Sequence, residues 1–219
     1  MKKRILATLS LVAILLSQAS AVTAQTGIFL TGGAGFGLVS APVQNTPLYA
    51  ASTFASSYSY SNLGAAFNGG VGYQQALTQN FSIGIEAGYN QLGSASANVD
   101  GGLDPLSFDI KNTAWQVLGN LTYLWNSGWN VFVNAGSAHV TQKITGSLGS
   151  LSGSSSLSQT EFAGGLGVGY QFSRNLGVNA AWLHVSGANN SDLTSVNLNK
   201  VSASDTYTAN LVYTFPLYY

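Results

Sequence analysis

Charge is what this 219-residue chain has least of: seven Lys and Arg and seven Asp and Glu make up 6% of its residues, against about 25% in ordinary soluble domains. Three of those cations, Lys2, Lys3 and Arg4, crowd the amino terminus. Without them the balance is 4 − 7 = −3, which leaves no basic surface for nucleic acid. Cysteine is absent, and that excludes disulfides, thiolate metal sites and cysteine nucleophiles. Asp100, Asp104 and Asp109 lack the spacing of a calcium loop and read as solvated charge, so no metal or cofactor is expected. Long apolar runs are missing too. Beyond residue 24 none reaches the roughly 20 residues of a membrane-spanning helix.

The amino-terminal stretch "MKKRILATLSLVAILLSQASAVTAQ" orders a basic cluster, an apolar run over residues 5–16 and the small residues Val22, Thr23 and Ala24. That order is a secretory signal peptide, cut after Ala24 or, alternatively, after Ala21. As an uncleaved anchor the run is too short to span a bilayer. The expected organisation is a leader over 1–24 and one barrel domain over 25–219.

The rest of the chain is dominated by a period of two. In residues 206–219, "TYTANLVYTFPLYY", an unbroken apolar row of Tyr207, Ala209, Leu211, Tyr213, Phe215, Leu217 and Tyr219 alternates with Thr206, Thr208, Asn210, Val212 and Thr214. This is a strand with a face long enough to meet lipid. Alternation recurs over 27–38, 63–74, 81–90, 113–125, 129–140, 161–172 and 176–185. Short turns at 75–80, 126–128 and 173–175 alternate with four long connections. The first, 39–62, contains Pro42 and Pro47 and reads as a long loop with some protruding strand. The second is 92–111, and the third, near 142–158, is a Gly/Ser/Leu stretch of low complexity that reads as a flexible loop. The fourth is 187–203. The fold class expected is all-β, an eight-stranded antiparallel up-and-down transmembrane β-barrel.

Closure follows from solvation. An unpaired backbone N–H or C=O in hydrocarbon costs several kcal/mol, so the first strand must pair with the last. Aromatic residues near the strand ends would form two interfacial girdles. The terminal aromatic row resembles the closing strand of bacterial outer-membrane barrels, and the mature chain is similar to the small barrels typified by the transmembrane domain of outer-membrane protein A and by opacity-type proteins. The resemblance implies an outer-membrane location with both termini in the periplasm, contact with outer-membrane lipid and lipopolysaccharide, and a monomer. It also implies recognition by the barrel-assembly machinery through Tyr213, Phe215, Leu217 and Tyr219. No wall-binding domain is expected after the barrel.

An eight-stranded barrel has an interior just wide enough for side chains. The inward row is rich in glycine, which favours tight packing around Phe29, Leu118, Phe132 and Leu183 over a narrow watery void. Glu86 and Glu161 are the acids of inward parity, without an inward cation. They either line a proton or cation path or belong to a polar interior network with Asn68, Asn90, Gln116, Asn120 and Asn210, and the network is preferred. Outward on the seventh strand, His184 and Ser186 are similar to the His-x-Ser pair of outer-membrane lipid A deacylases, with Asp205 or Asp192 as the orienting acid. The family's Asn after the Ser is Gly187 here, so no catalytic site is assigned. The functional expectation is a structural or surface-interaction role through long extracellular loops, with an unidentified surface ligand. A narrow channel for ions or small hydrophobic solutes is the alternative, and a deacylase stands behind it.

Overall fold

The structure, a computed structural model, describes residues 23–40, 57–100, 106–187 and 200–217. The expected leader, apart from Thr23 and Ala24, lies outside the described residues, as do Pro42, Pro47, Asp104, Asp192 and Tyr219. The regular elements are β1 (Gly27–Val39), β2 (Ser57–Ser61), β3 (Leu63–Ala76), β4 (Phe81–Asp100), β5 (Leu106–Leu124), β6 (Trp129–Leu148), β7 (Leu151–Gln171), β8 (Leu176–Val185) and β9 (Ser204–Pro216). They pair antiparallel in the order β4, β3, β1, β9, β8, β7, β6, β5, and β5 pairs back onto β4. Eight strands close into the expected up-and-down barrel, while the short β2 lies beside the upper part of β4. Closure joins first strand to last, with Gly27 opposite Pro216 and Val39 opposite Ser204. Beyond the ladder, the Leu217 N–H donates to Thr26 O at 2.9 Å.

Side chains sort by parity. Ile28, Leu30, Phe36, Ile83, Ile85 and Tyr89 face outward, each 41–55% exposed, whereas Asn90, Gln116 and Asn210 are buried inside. Apolar outside and polar inside is the inverse of a soluble protein and the requirement of a sheet in hydrocarbon. At the end carrying the short turns, one girdle is built from edge-on pairs such as Phe81 with Tyr123 at 4.8 Å and Trp129 with Tyr170 at 5.3 Å. At the loop end, Tyr89 meets Trp115 at 5.0 Å and Phe36 stacks on Tyr207 at 5.1 Å. Along β4 and β5 the two girdles are eight residues apart, about 27 Å of strand before tilt.

Two stretches differ from the sequence reading. Residues 92–111 and 142–158 are for the most part strand, because β4, β5, β6 and β7 run to 20, 19, 20 and 21 residues. At 92 the alternation vanishes from the sequence because a bulge shifts its phase. The β4–β5 register slips between Gln91 and Gly93, Gly93 takes φ 113°, and the odd-numbered Ala95 and Ala97 turn inward beyond it. The Gly/Ser stretch pairs from Leu148 opposite Leu151 onward. Its link is only Gly149 and Ser150, with Gly149 at φ 56° in the first central position of a tight hairpin turn. Ladder bonds are made by backbone, so clear of the lipid these strands continue without an apolar row on their outer face.

The interior is also not uniform. Toward the turn end lies a cavity of 130 Å³ lined by residues including Gln25, Phe29, Glu86, Asn120 and Phe132, followed by a smaller one of 60 Å³. Tight packing, expected throughout, is interrupted by these two cavities. Phe29 and Phe132 fit because Gly72 and Gly167 face them; a Cβ at either glycine would run into the ring. Gly167→Val should therefore cost about 1–3 kcal/mol, read as a lower urea midpoint for the heat-modifiable gel band. Phe132→Ala in the same chain should recover part of it, and an unshifted midpoint for Gly167→Val alone would refute the packing.

Candidate functional site

The barrel offers three places for chemistry: the lower lumen, the closure above it and the lipid-facing rim. In the lower lumen Glu86 on β4 accepts a hydrogen bond from Asn120 on β5, and Gly70 on β3 leaves room for its carboxylate. Neither cavity is lined by Lys or Arg. The larger one has the volume of about four waters. Of the polar residues expected to form one interior network, the structure makes pairs. Asn90 donates to Gln116 at 2.5 Å, Glu86 meets Asn120, and Asn210 donates to Asn179 at 2.6 Å. Asn68 lines the smaller cavity. Glu161 stands apart on β7, opposite Ala138 and half-buried.

Above the cavities the inward row turns apolar. Leu92, Leu118, Val140 and Val185 are buried in one cluster with Val201, which is 0% exposed. Val201 belongs to the stretch expected as a fourth external loop; instead residues 201–203 fold into the barrel mouth and are buried. Polar side chains hold them there. Gln142 Oε1 accepts the Ser202 N–H at 2.6 Å, Gln159 Oε1 accepts the Val201 N–H at 3.1 Å, and Asn112 Nδ2 donates to Ser202 O at 3.2 Å and Ser204 Oγ at 3.0 Å. Val39, Ala95 and Ile110 bury a second cluster. Sequence reasoning missed Asn112 and Gln142. Their even parity continues that of Gln116 and Val140, a signal that was present, but nothing in the sequence pointed residues 201–203 inward.

On the outer face, β8 and β9 bring two of the three candidate catalytic residues together. His184 lies directly opposite Asp205, with Nδ1 3.0 Å from Asp205 Oδ1, and the Trp182 Nε1–H donates to the same oxygen at 3.0 Å. Ser186 does not join them: among the described residues no hydrogen bond links it to His184, and its backbone N–H donates to Phe162 O at 2.9 Å. Beneath this group Ala34, Ala209 and Ala180 align across β1, β9 and β8. They floor an apolar groove of 490 Å³ walled by Phe36, Tyr207 and Trp182. In the closing strand Tyr213 and Phe215 face outward with ring centroids 4.8 Å apart, opposite Leu30 and Ile28.

Comparison with known proteins bears on the barrel that carries all three places. A family model described as the outer membrane protein beta-barrel domain matches residues 7–215. Among solved structures, Ail, the attachment invasion locus protein of Yersinia pestis, superposes with a TM-score of 0.50 at 14% identity, covering 88% of this chain and 100% of that one. A second Ail structure, in complex with the heparin analogue sucrose octasulfate, matches equally. The outer membrane protease OmpT from Escherichia coli superposes with a TM-score of 0.50 at 12% identity, covering 90% and 100%. OprG from Pseudomonas aeruginosa gives 0.47 at 15% identity, covering 89% and 99%. No curated protein matches in sequence. At these identities the likeness is one of fold.

The side chains that hold residues 201–203 are open to test. Gln142→Leu leaves the buried Ser202 N–H without an acceptor, a cost of about 1–3 kcal/mol. Amide exchange at Val201 and Ser202 should accelerate roughly tenfold or more, while the amides of β1 and β9 stay protected. Unchanged exchange at both positions would show that the segment is held by packing alone.

Proposed function

The chain belongs to the outer membrane protein β-barrel domain family and resides in the outer membrane, and we propose that it serves there as a structural and surface-interaction protein. The observation that carries this reading is the form of the loop end. Inside the barrel Leu118, Val140, Val185 and Val201 are buried in one apolar cluster, and β4 to β7 continue past the aromatic girdle as a wall. From Trp115 to Leu106 β5 rises nine residues, about 30 Å of strand, while β1 and β8 end three residues beyond Phe36 and Trp182. In this reading residues 1–24 export the chain, the short turns face the periplasm, the wall faces outward, and Tyr213, Phe215, Leu217 and Tyr219 address the assembly machinery.

A narrow channel is the alternative, and the apolar layer weighs against it. In planar bilayers the purified protein should be silent, and Leu118→Ser with Val201→Ser should introduce conductance. Steady conductance by the wild type would reverse the order of the two readings. Removing residues 145–148 and 151–154 shortens the wall while keeping Gly149, Ser150 and the register. That variant should keep its heat-modifiable mobility and lose adhesion to any surface ligand, and unaltered adhesion would exclude the wall as the binding element.

One contact favours a second reading, an outer-leaflet acyl hydrolase: His184 beside Asp205 at 3.0 Å, above a groove wide enough for an acyl chain. Lipid A mass spectra should be identical for cells expressing the wild type or Ser186→Ala. Loss of an acyl chain with the wild type alone would assign the hydrolase.

A further inference from the structure

Glu86 is a carboxylate at membrane depth without a counter-charge. It lies on β4 between the girdle residues Phe81 and Tyr89, with its neighbours Ile85 and Ala87 exposed on the outer face, and it lines both lumen cavities. Lys, Arg and His are missing from the lining of either one. Asn120 donates a hydrogen bond to it, which supplies a dipole and no compensating charge. An ionised carboxylate taken out of water is costly unless a cation stands beside it.

The amides around Glu86 are short of donors in the same way. With its Nδ2 given to Glu86, Asn120 has Oδ1 buried and without a hydrogen-bond partner among the described residues. Asn134 lies directly opposite Asn120 on β6, and its Oδ1 is in the same state. Both line the larger cavity, and Asn134 lines the smaller one as well. In the smaller cavity Asn68 Oδ1 and Asn210 Oδ1 are also buried and unpartnered among the described residues. Asn210 is only 6% exposed and has given its Nδ2 to Asn179. The walls of the two cavities thus combine a carboxylate with four orphan amide oxygens. Water can donate to the amides but brings no charge; a hard cation answers both deficits.

The donor set specifies the class of cation. Ligands that are all oxygen suit an alkali or alkaline-earth ion over a transition metal. Affinity for calcium is tuned by the number of ligand charges, and a dication against the single carboxylate of Glu86 would leave one positive charge uncompensated inside the membrane. A monovalent ion leaves none. We propose that Glu86, Asn120 and Asn134 bind one monovalent cation of the sodium type in the lower lumen, where it supplies the counter-charge that the chain itself lacks. The larger cavity reaches down to Ala24 and Gln25 at the turn end and is lined there by the hydroxyls of Ser82, Thr122 and Thr214, so the ion enters without crossing the apolar cluster near the loops. A resident ion needs an opening at one end only, which separates this site from a channel. It rests on the barrel and is independent of the surface role.

The test unfolds the refolded full chain in urea, in zwitterionic micelles at about pH 8, where a carboxyl group of ordinary pKa is ionised. Sodium chloride is replaced stepwise by N-methylglucamine chloride, whose organic cation is too large for the site, at constant ionic strength. An ion bound only by the folded chain and present at about ten times its dissociation constant should lower the unfolding equilibrium constant roughly tenfold, and the sodium NMR line should broaden over the same range. Glu86→Gln should lose both effects and keep its heat-modifiable mobility, while Asn134→Ala should raise the half-saturating sodium concentration roughly tenfold. Asn134→Asp adds a second carboxylate and should move the preference from sodium to calcium; it carries the test should Glu86→Gln fail to fold. An unfolding midpoint indifferent to the choice of cation, or sodium dependence that persists in folded Glu86→Gln, overturns the proposal. So does a larger response of the wild type to calcium than to sodium at equal concentration.

Discussion

Every backbone N–H and C=O that enters hydrocarbon must find its partner within the protein, and the seam between β1 and β9 is where this chain meets that demand. Thirteen cross-strand pairs, from Gly27 opposite Pro216 to Val39 opposite Ser204, join its two ends. Unpaired, those strands would present two open edges to lipid. The seam also fixes the register of the outer face. It stacks Phe36 on Tyr207 and aligns Ala34 with Ala209. The part of the aromatic girdle that Phe36 and Tyr207 build is therefore a consequence of closure as much as of local sequence.

Inside the closed sheet two regimes share one lumen. Near the turns, glycines opposite Phe29 and Phe132 let bulky rings lie across the interior, and polar residues line the remaining cavities as separate pairs. Near the loops, an apolar layer completed by Val201 replaces them. The change follows from what each level must do. The lower lumen surrounds Glu86 with polar side chains such as Asn120 and Asn134, whereas the upper layer gives the emergent parts of β4 to β7 a hydrophobic core of their own, continued by Val39, Ala95 and Ile110. Strands that rise this far need such a core, because a bare two-stranded ribbon in water is marginally stable at best.

The parts of the fold legible in the sequence were those in contact with two different solvents. Lipid on one face and a polar lumen on the other impose period two, so the eight membrane strands and their outward residues, such as Ile28, Leu30, Ile83 and Phe215, could be read directly. Beyond the girdle that imposition ends. At Leu92 and Gly93 the bulge shifts the phase, and over residues 142–158 serine and glycine occupy both faces, so strands there looked like loops. The candidate site was legible in part for the same reason. The parity of His184 and Asp205 pointed both outward, but their contact, and the failure of Ser186 to join it, depend on how β8 and β9 are aligned.

The amino-acid sequence by itself determined the number of membrane strands, which face of each meets lipid, and the outer-membrane destination, because these depend on composition and on a local period of two. Tertiary structure alone decided that Val201 turns into the lumen and that the interior polar residues form pairs where a single network was expected. Those relations depend on register between segments distant in the chain, and a slip of one residue would move every side chain of a strand to the opposite face. Register is set jointly by closure, the bulge and the tight turn at Gly149, none of which is a property of any one segment.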